Sequence, residues 1–120
     1  VLDAMFRSTN ELYGTSFSSR IEDPKYQFAG KTGTSQVKRI TEAERELDLD
    51  ISLIPYKQRD HAWFIAFGPY KNPRYAMSIL VEHGGSGSKA AAPIAKKLFK
   101  KVIDRHELRE KYKSKDTTSV

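Results

Sequence analysis

The segment from His61 to Val81 restricts the possible folds of this chain more than any other. The run His61-Ala-Trp-Phe-Ile-Ala-Phe67 is apolar at odd and even positions alike. A strand of that kind is expected to be central and covered on both faces, because alternation would otherwise leave one side polar. Gly68-Pro-Tyr-Lys-Asn-Pro73 supplies turn chemistry. A second apolar strand, Tyr75-Ala-Met-Ser-Ile-Leu-Val81, follows at once. Parallel neighbours need a crossover of a dozen residues or more, so two strands this close pair only antiparallel.

Helical signals flank this hairpin. Residues 2–13 put Leu2, Met5, Phe6 and Leu12 on one stripe, with Gly14 as the expected stop. Residues 15–24 are turn-rich. From Tyr26 the pattern becomes extended (YQFAGKTGTSQVKRI), interrupted by Gly30 and Gly33, and glycines inside a strand often mark close approach of a backbone or a ligand. Residues 41–59 begin acidic and lack a period, so they read as a long excursion and as the least ordered stretch. After the glycine-rich residues 84–87 a helix is expected from about Ser88. Pro93 fits its first turn, and Ile94, Leu98, Phe99, Val102 and Ile103 form its apolar stripe. The order is helix, strand, loop, hairpin, helix. It implies an α+β layer, three antiparallel strands with at least the last helix packed on one face.

Composition excludes several classes. The chain has 120 residues, 38% of them apolar, enough for one modest core. No run approaches the ~18 apolar residues of a membrane span. No secretory leader is visible, Val1 is not an initiator methionine, and the opening helix pattern starts abruptly, so a cut piece of a longer protein is expected. Without cysteine there are no disulfides or thiolate zinc sites, and three histidines make a metal site unexpected. No cofactor is expected. The net charge of +6 raises nucleic acid as a partner. However, residues 96–115 hold nine Lys or Arg against three acids, and the rest of the chain holds twelve of each sign. The excess is confined to one terminal helix, which reads as a solvated face, and no nucleic-acid partner is expected.

The chemistry lies in Lys31-Thr32-Gly33, followed by Thr34-Ser35. A cation on a strand edge holds a carboxylate-bearing substrate. Hydroxyls at Thr32 and Thr34 can bind that carboxylate. Gly33 leaves room for a substrate backbone, and a backbone N–H here can stabilise an acyl oxyanion. Three residues by themselves are also compatible with a solvent-facing lysine beside a glycine bulge.

Longer stretches decide between these. FAGKTGTSQV (28–37), RDHAWFIAF (59–67), NPRYAMSILVEHGG (72–85) and AAAPIAKKLF (90–99) resemble, in order and spacing, the class B penicillin-binding proteins of cell elongation. K-T-G beside S-x-x-K and a Ser-x-Asn triplet is the signature of such enzymes. The resemblance implies that residues 1–104 are the C-terminal part of a penicillin-binding, β-lactamase-like transpeptidase fold, with 105–120 a basic helix end and tail. It implies that Lys31 bonds to the serine of the Ser-x-Asn motif, that Thr32, Gly33 and Thr34 line the carboxylate site, and that the Thr34 N–H is half of the oxyanion hole. The reaction implied is acyl transfer from D-Ala-D-Ala stem peptides. β-Lactams would bind, a glycosyltransferase of the elongation machinery would be a partner through the parent, and the parent would be anchored in the bacterial inner membrane with a periplasmic domain. A β-lactamase or β-lactam sensor fragment, or a basic binding module with an accidental K-T-G, are the alternatives.

Two motif-like runs are set aside. Ser86-Gly-Ser-Lys89 matches S-x-x-K but follows K-T-G and sits among loop glycines, where serine reads as linker and helix cap. Ser8-Thr-Asn10 lies inside a helix pattern. His61 and His83 read as structural, and Asp60 as the source of a fold-holding hydrogen bond. Tyr13, Tyr26, Trp63 and Phe67 read as core or cleft wall.

Overall fold

The computed structural model describes residues 1–37, 42–43 and 51–118, the last five by backbone alone. Its elements are α1 (Leu2–Asn10), β1 (Ala29–Ser35), β2 (His61–Gly68), β3 (Tyr75–Val81) and α2 (Ala92–Thr118). The strands form one antiparallel sheet in the order β1-β2-β3. Gly30, Thr32 and Thr34 lie opposite Ala66, Phe64 and Ala62, which lie opposite Met77, Ile79 and Val81.

That register places Ala62, Phe64, Ala66 and Ile79 on one face, where they form a core with Ala91, Ala92, Ala95, Phe99 and Ile103. Phe28 stacks on Phe99 at 5.0 Å and meets Phe64 edge-on at 6.1 Å. The α2 stripe therefore differs from the expected one. Phe99 and Ile103 are buried, but Ile94 and Leu98 are each 40% exposed, and Ala92 and Ala95 take the inner positions. Small residues win there because the helix start lies tight against the sheet. A Cβ on Gly87 would come within 2.5 Å of the Trp63 carbonyl oxygen. The helix is entered through a wide turn, Gly87–Ala91, and Pro93 sits in its first regular turn.

The other face corrects the expectation for β2. Ile65 is 49% exposed, and Leu80 beside Trp63 is 45% exposed. Among the described residues only the Ala29–Phe67 corner is covered, where Met5 and Phe6 of α1 approach and Phe6 stacks on Tyr70 at 4.3 Å. Leu2 of α1 and Leu12 beyond its end point to solvent, and the buried residue of α1 is Thr9. The helix stops at Asn10, ahead of Gly14, because the Asn10 amide turns back to the Phe6 carbonyl and across to the Phe28 carbonyl, both at 3.0 Å. Gly14 serves instead for close passage over the Ser8 carbonyl.

The lead into β1 is tied to α2. The Tyr26 hydroxyl donates to Asp104, and Lys25 pairs with Glu107 at 2.9 Å. The Glu107 hydrogen bond holds the Lys25 ammonium above the ordinary lysine range, and the Asp104 bond raises the Tyr26 phenol. Much of the acidic excursion, residue 41 and residues 44–50, lies outside the described residues. Residues Ile51–Leu53 and Tyr56–Gln58 form two short 3-10 turns.

Candidate functional site

β1 is an edge strand, and its free edge carries the candidate chemistry. The Gly30 N–H donates to Thr9 Oγ1 of α1 at 3.0 Å, so it points away from β2. In an antiparallel pair the main-chain direction alternates residue by residue. Thr32 and Thr34, of the same parity as Gly30, therefore present their N–H and C=O groups to this free edge. Lys31 follows the alternation. Its chain lies on the face shared with Ile65, and its Nζ curls round the edge to donate to the Thr32 carbonyl at 2.9 Å, with Thr32 Oγ1 at 3.5 Å. Lys31 and Thr34 are exposed, and Thr32 and Gly33 half-buried. The two threonine side chains share a face, about 6.6 Å apart along the strand.

The two glycines of β1 differ in kind. A Cβ at Gly30 would strike the Phe64 ring at 2.3 Å. A Cβ at Gly33 would meet only Trp63 Cβ, at an ordinary 3.4 Å. Packing demands glycine at 30 and does not demand it at 33. The arrangement is a strand edge offering one cation, two hydroxyls, the outward N–H groups of Thr32 and Thr34 and a position without a side chain, exposed at Lys31 and Thr34 and half-buried between them. It can hold an anionic, extended, peptide-like ligand. Among the described residues no group of His, Asp and Glu is placed to hold a metal ion.

The serines of the two motif-like runs have local hydroxyl partners. Ser86 Oγ pairs with Ser88 Oγ at 3.0 Å, Lys89 is exposed, and no side-chain cap bond forms, so the expected capping by Ser86 is not observed. Ser8 Oγ faces Thr15 Oγ1 at 3.4 Å, and Asn10 is engaged in holding α1 to β1. The histidines are structural, as expected. The His83 N–H donates to His61 Nδ1 at 2.9 Å. His83 Nδ1 lies 2.7 Å from the Arg59 carbonyl, and a carbonyl only accepts, so that nitrogen carries a proton. The Asp60 carboxylate accepts from the Val37 N–H at 3.2 Å, a bond within the fold.

Sequence reasoning missed two positioning residues. Thr9 satisfies the edge N–H of Gly30, and its only signal was a polar residue inside an apolar stripe. Gly87 lets the exit loop press on the sheet, where a Cβ at this position would come within 3.1 Å of Thr32 Cβ and the Gly33 carbonyl oxygen. It read as linker.

Comparison with known proteins places this edge in a family. Residues 1–100 match the penicillin binding protein transpeptidase domain. A peptidoglycan D,D-transpeptidase MrdA of Salmonella typhimurium is 38% identical over 104 residues, 87% of this chain and 16% of that protein. The MrdA of Haemophilus influenzae is 36% identical over 95 residues, 79% of this chain and 14% of that protein. Among solved structures, a Helicobacter pylori penicillin-binding protein, PBP2, in complex with MreC superposes with TM-score 0.65 at 35% identity, covering 83% of this chain and 16% of that one. Pseudomonas aeruginosa PBP2 in complex with WCK 5153 gives 0.56 at 34% identity, covering 77% and 16%. The chain thus spans about a sixth of the length of these relatives. A family match over residues 1–100, identities of 34–38% over most of the chain and superposition on solved penicillin-binding proteins have one consequence: this chain belongs to the penicillin-binding protein transpeptidase family.

Proposed function

We propose that this chain forms one wall of the active site of a peptidoglycan D,D-transpeptidase, with residues 1–104 as part of the transpeptidase domain and 105–120 as a basic extension. The observation that carries the proposal is the free edge of β1. Lys31 and the hydroxyls of Thr32 and Thr34 form a carboxylate site, the outward Thr34 N–H is an oxyanion donor, and Gly33 lacks a side chain where packing would accept one. In the proposed reaction a serine from an S-x-x-K helix elsewhere in the parent attacks the penultimate D-Ala carbonyl carbon. The C–N bond breaks, D-Ala leaves as the protonated amine, and an ester to serine remains. An amine of a neighbouring stem peptide then attacks the ester carbonyl, forming the cross-link and returning the proton to serine. Preorganised N–H donors lower the barrier at both tetrahedral stages, because charge develops on an oxygen they already face. A β-lactam forms the same ester on ring opening.

The relatives support a wider setting. Their transpeptidase names argue for stem-peptide substrates, and the complex of the Helicobacter pylori protein with MreC supports work within an assembly. A glycosyltransferase of the elongation machinery is proposed as a further partner of the parent. We place the parent at the bacterial inner membrane with this domain in the periplasm. No helix among the described residues is long and apolar enough to cross a membrane.

The test is Lys31→Ala in the full-length parent, measured as the rate of acylation by a labelled penicillin. A loss of about a hundredfold is expected, the usual consequence of removing a charge-stabilising group, with the thermal melt unchanged. Unchanged acylation would return Lys31 to an ordinary surface lysine. The 120-residue chain alone is expected to show no mass gain with a reactive β-lactam, since among the described residues the side-chain partner of the Ser86 hydroxyl is another hydroxyl, Ser88, which is no base. A stoichiometric adduct on Ser86 or Ser88 would overturn the assignment.

A further inference from the structure

Helix α2 carries a second pattern that the sheet does not use. Ile94, Leu98, Lys101, Arg105, Leu108 and Tyr112 follow one another at spacings of four, three, four, three and four residues. That is the a/d repeat of a coiled-coil seam. All six face away from the sheet. Ile94 and Leu98 are 40% exposed, Leu108 54% and Tyr112 67%, while Phe99 and Ile103 on the opposite side are buried. The row runs about 27 Å at helical rise. Its second half lies beyond residue 100, where the match to the transpeptidase domain ends.

Charge on this helix is segregated. The three acids between residues 92 and 113 are held on other sides of it: Asp104 by Tyr26 and Lys25, Glu107 by Lys25, and Glu110 within 4.0 Å of His106. Lys97, Lys101, Arg105 and Arg109 have no carboxylate within ion-pair distance among the described residues. The exposed seam is therefore apolar at both ends and cationic in the middle.

We propose that this seam is a docking surface for an α-helix of another protein, one with apolar residues at the ends of its own heptad row and Asp or Glu at the two central positions. A second copy of this chain does not fit. Paired in parallel, Lys101 would meet Lys101 and Arg105 would meet Arg105. Paired antiparallel about the midpoint, Lys101 would face Arg105. Either arrangement gathers four cations in one seam, and like charges there select against self-pairing. An anionic bilayer fits less well. Interfacial helices present a broad apolar face, whereas this row is one residue wide and broken by two cations. The surface is independent of the acyl-transfer reading, because none of its residues belongs to the β1 edge.

Two synthetic amphipathic peptides test it, each long enough to cover the seam with leucine at the outer positions. One carries Glu at the two central positions and the other carries Lys. Binding to the 120-residue chain is read by fluorescence anisotropy. The Glu peptide is expected to bind, and the Lys peptide to bind at least about tenfold more weakly, since charge complementarity sets partner choice. The double variant K101E/R105E should reverse that order. L108A/Y112A should weaken the Glu peptide by about tenfold, the effect of losing apolar anchors, with an unchanged circular dichroism melt. Failure of the Glu peptide to bind, or equal binding of both peptides, would overturn the proposal. So would Leu108-dependent co-sedimentation with phosphatidylglycerol vesicles in place of peptide binding, or Leu108-dependent dimerisation of the chain.

Discussion

Three glycines separate structural need from functional room at the scale of single residues. Gly30 and Gly87 are pinned by packing, the first against the Phe64 ring and the second against the Trp63 and Gly33 carbonyls. Gly33 is not pinned. Gly87→Ala is therefore expected to destabilise the chain by about 1–3 kcal/mol, because the Cβ meets backbone that has no side-chain freedom to yield. Gly33→Ala is expected to leave the melt nearly unchanged and to slow acylation of the full-length parent. Thermal denaturation of both variants in parallel checks the pair. Equal destabilisation would mean that Gly33 is retained for packing after all. A sequence shows all three glycines alike, and only the distance from a built Cβ to its neighbours distinguishes them.

Among the elements, α1 acts as a clamp on β1. The strand has no neighbour on its outer side, and an unpaired buried N–H is costly. Thr9 and Asn10 satisfy the first outward groups of that edge, the Gly30 N–H and the Phe28 carbonyl, Lys31 Nζ engages the Thr32 carbonyl, and the Thr32 N–H and the outward groups of Thr34 are left facing outward. Thr9→Val keeps the volume and removes the acceptor. It is expected to cost about 1–3 kcal/mol, the penalty of leaving a buried donor unsatisfied, read as a lower urea midpoint with unchanged slope. It should also speed amide exchange at Gly30. Slow exchange at Gly30 in that variant would show that Thr9 does not fix the strand edge.

The whole molecule has one well-made layer and one open one. α2 covers the Phe64 face, while the Trp63 face keeps Ile65 and Leu80 half exposed beyond the reach of α1. Exposed apolar patches of more than a few hundred Å² tend to drive association. The isolated chain is therefore expected to self-associate through this face, and Ile65→Lys to suppress that association. Multi-angle light scattering across a concentration series checks it, and a monodisperse monomer at high concentration would show the face to be harmless. Association by this route does not involve Leu108, which separates it from the α2 seam.

Much of this architecture is determined by local chemistry. The hairpin follows from two apolar runs joined by too few residues for a crossover, and strand β1, the entry of Pro93 into α2 and the structural histidines follow from side-chain types read in order. The K-T-G stretch and its neighbouring blocks also carry the family. Tertiary structure alone decided which residues of an apolar stripe go inside. Periodicity gives a helix face but not its partner, so Ile94 and Leu98 read as core until the tight entry of α2 turned Ala92 and Ala95 inward. Apolar residues at every position of β2 announce two buried faces, yet burial depends on what lies against each face. Here α2 covers one, and among the described residues α1 reaches only one end of the other, through Met5 and Phe6. The direction of the Thr34 N–H was also undecided by sequence, because the parity of a strand's hydrogen bonds is set by its pairing register and by the Thr9 hydroxyl that occupies the first outward donor.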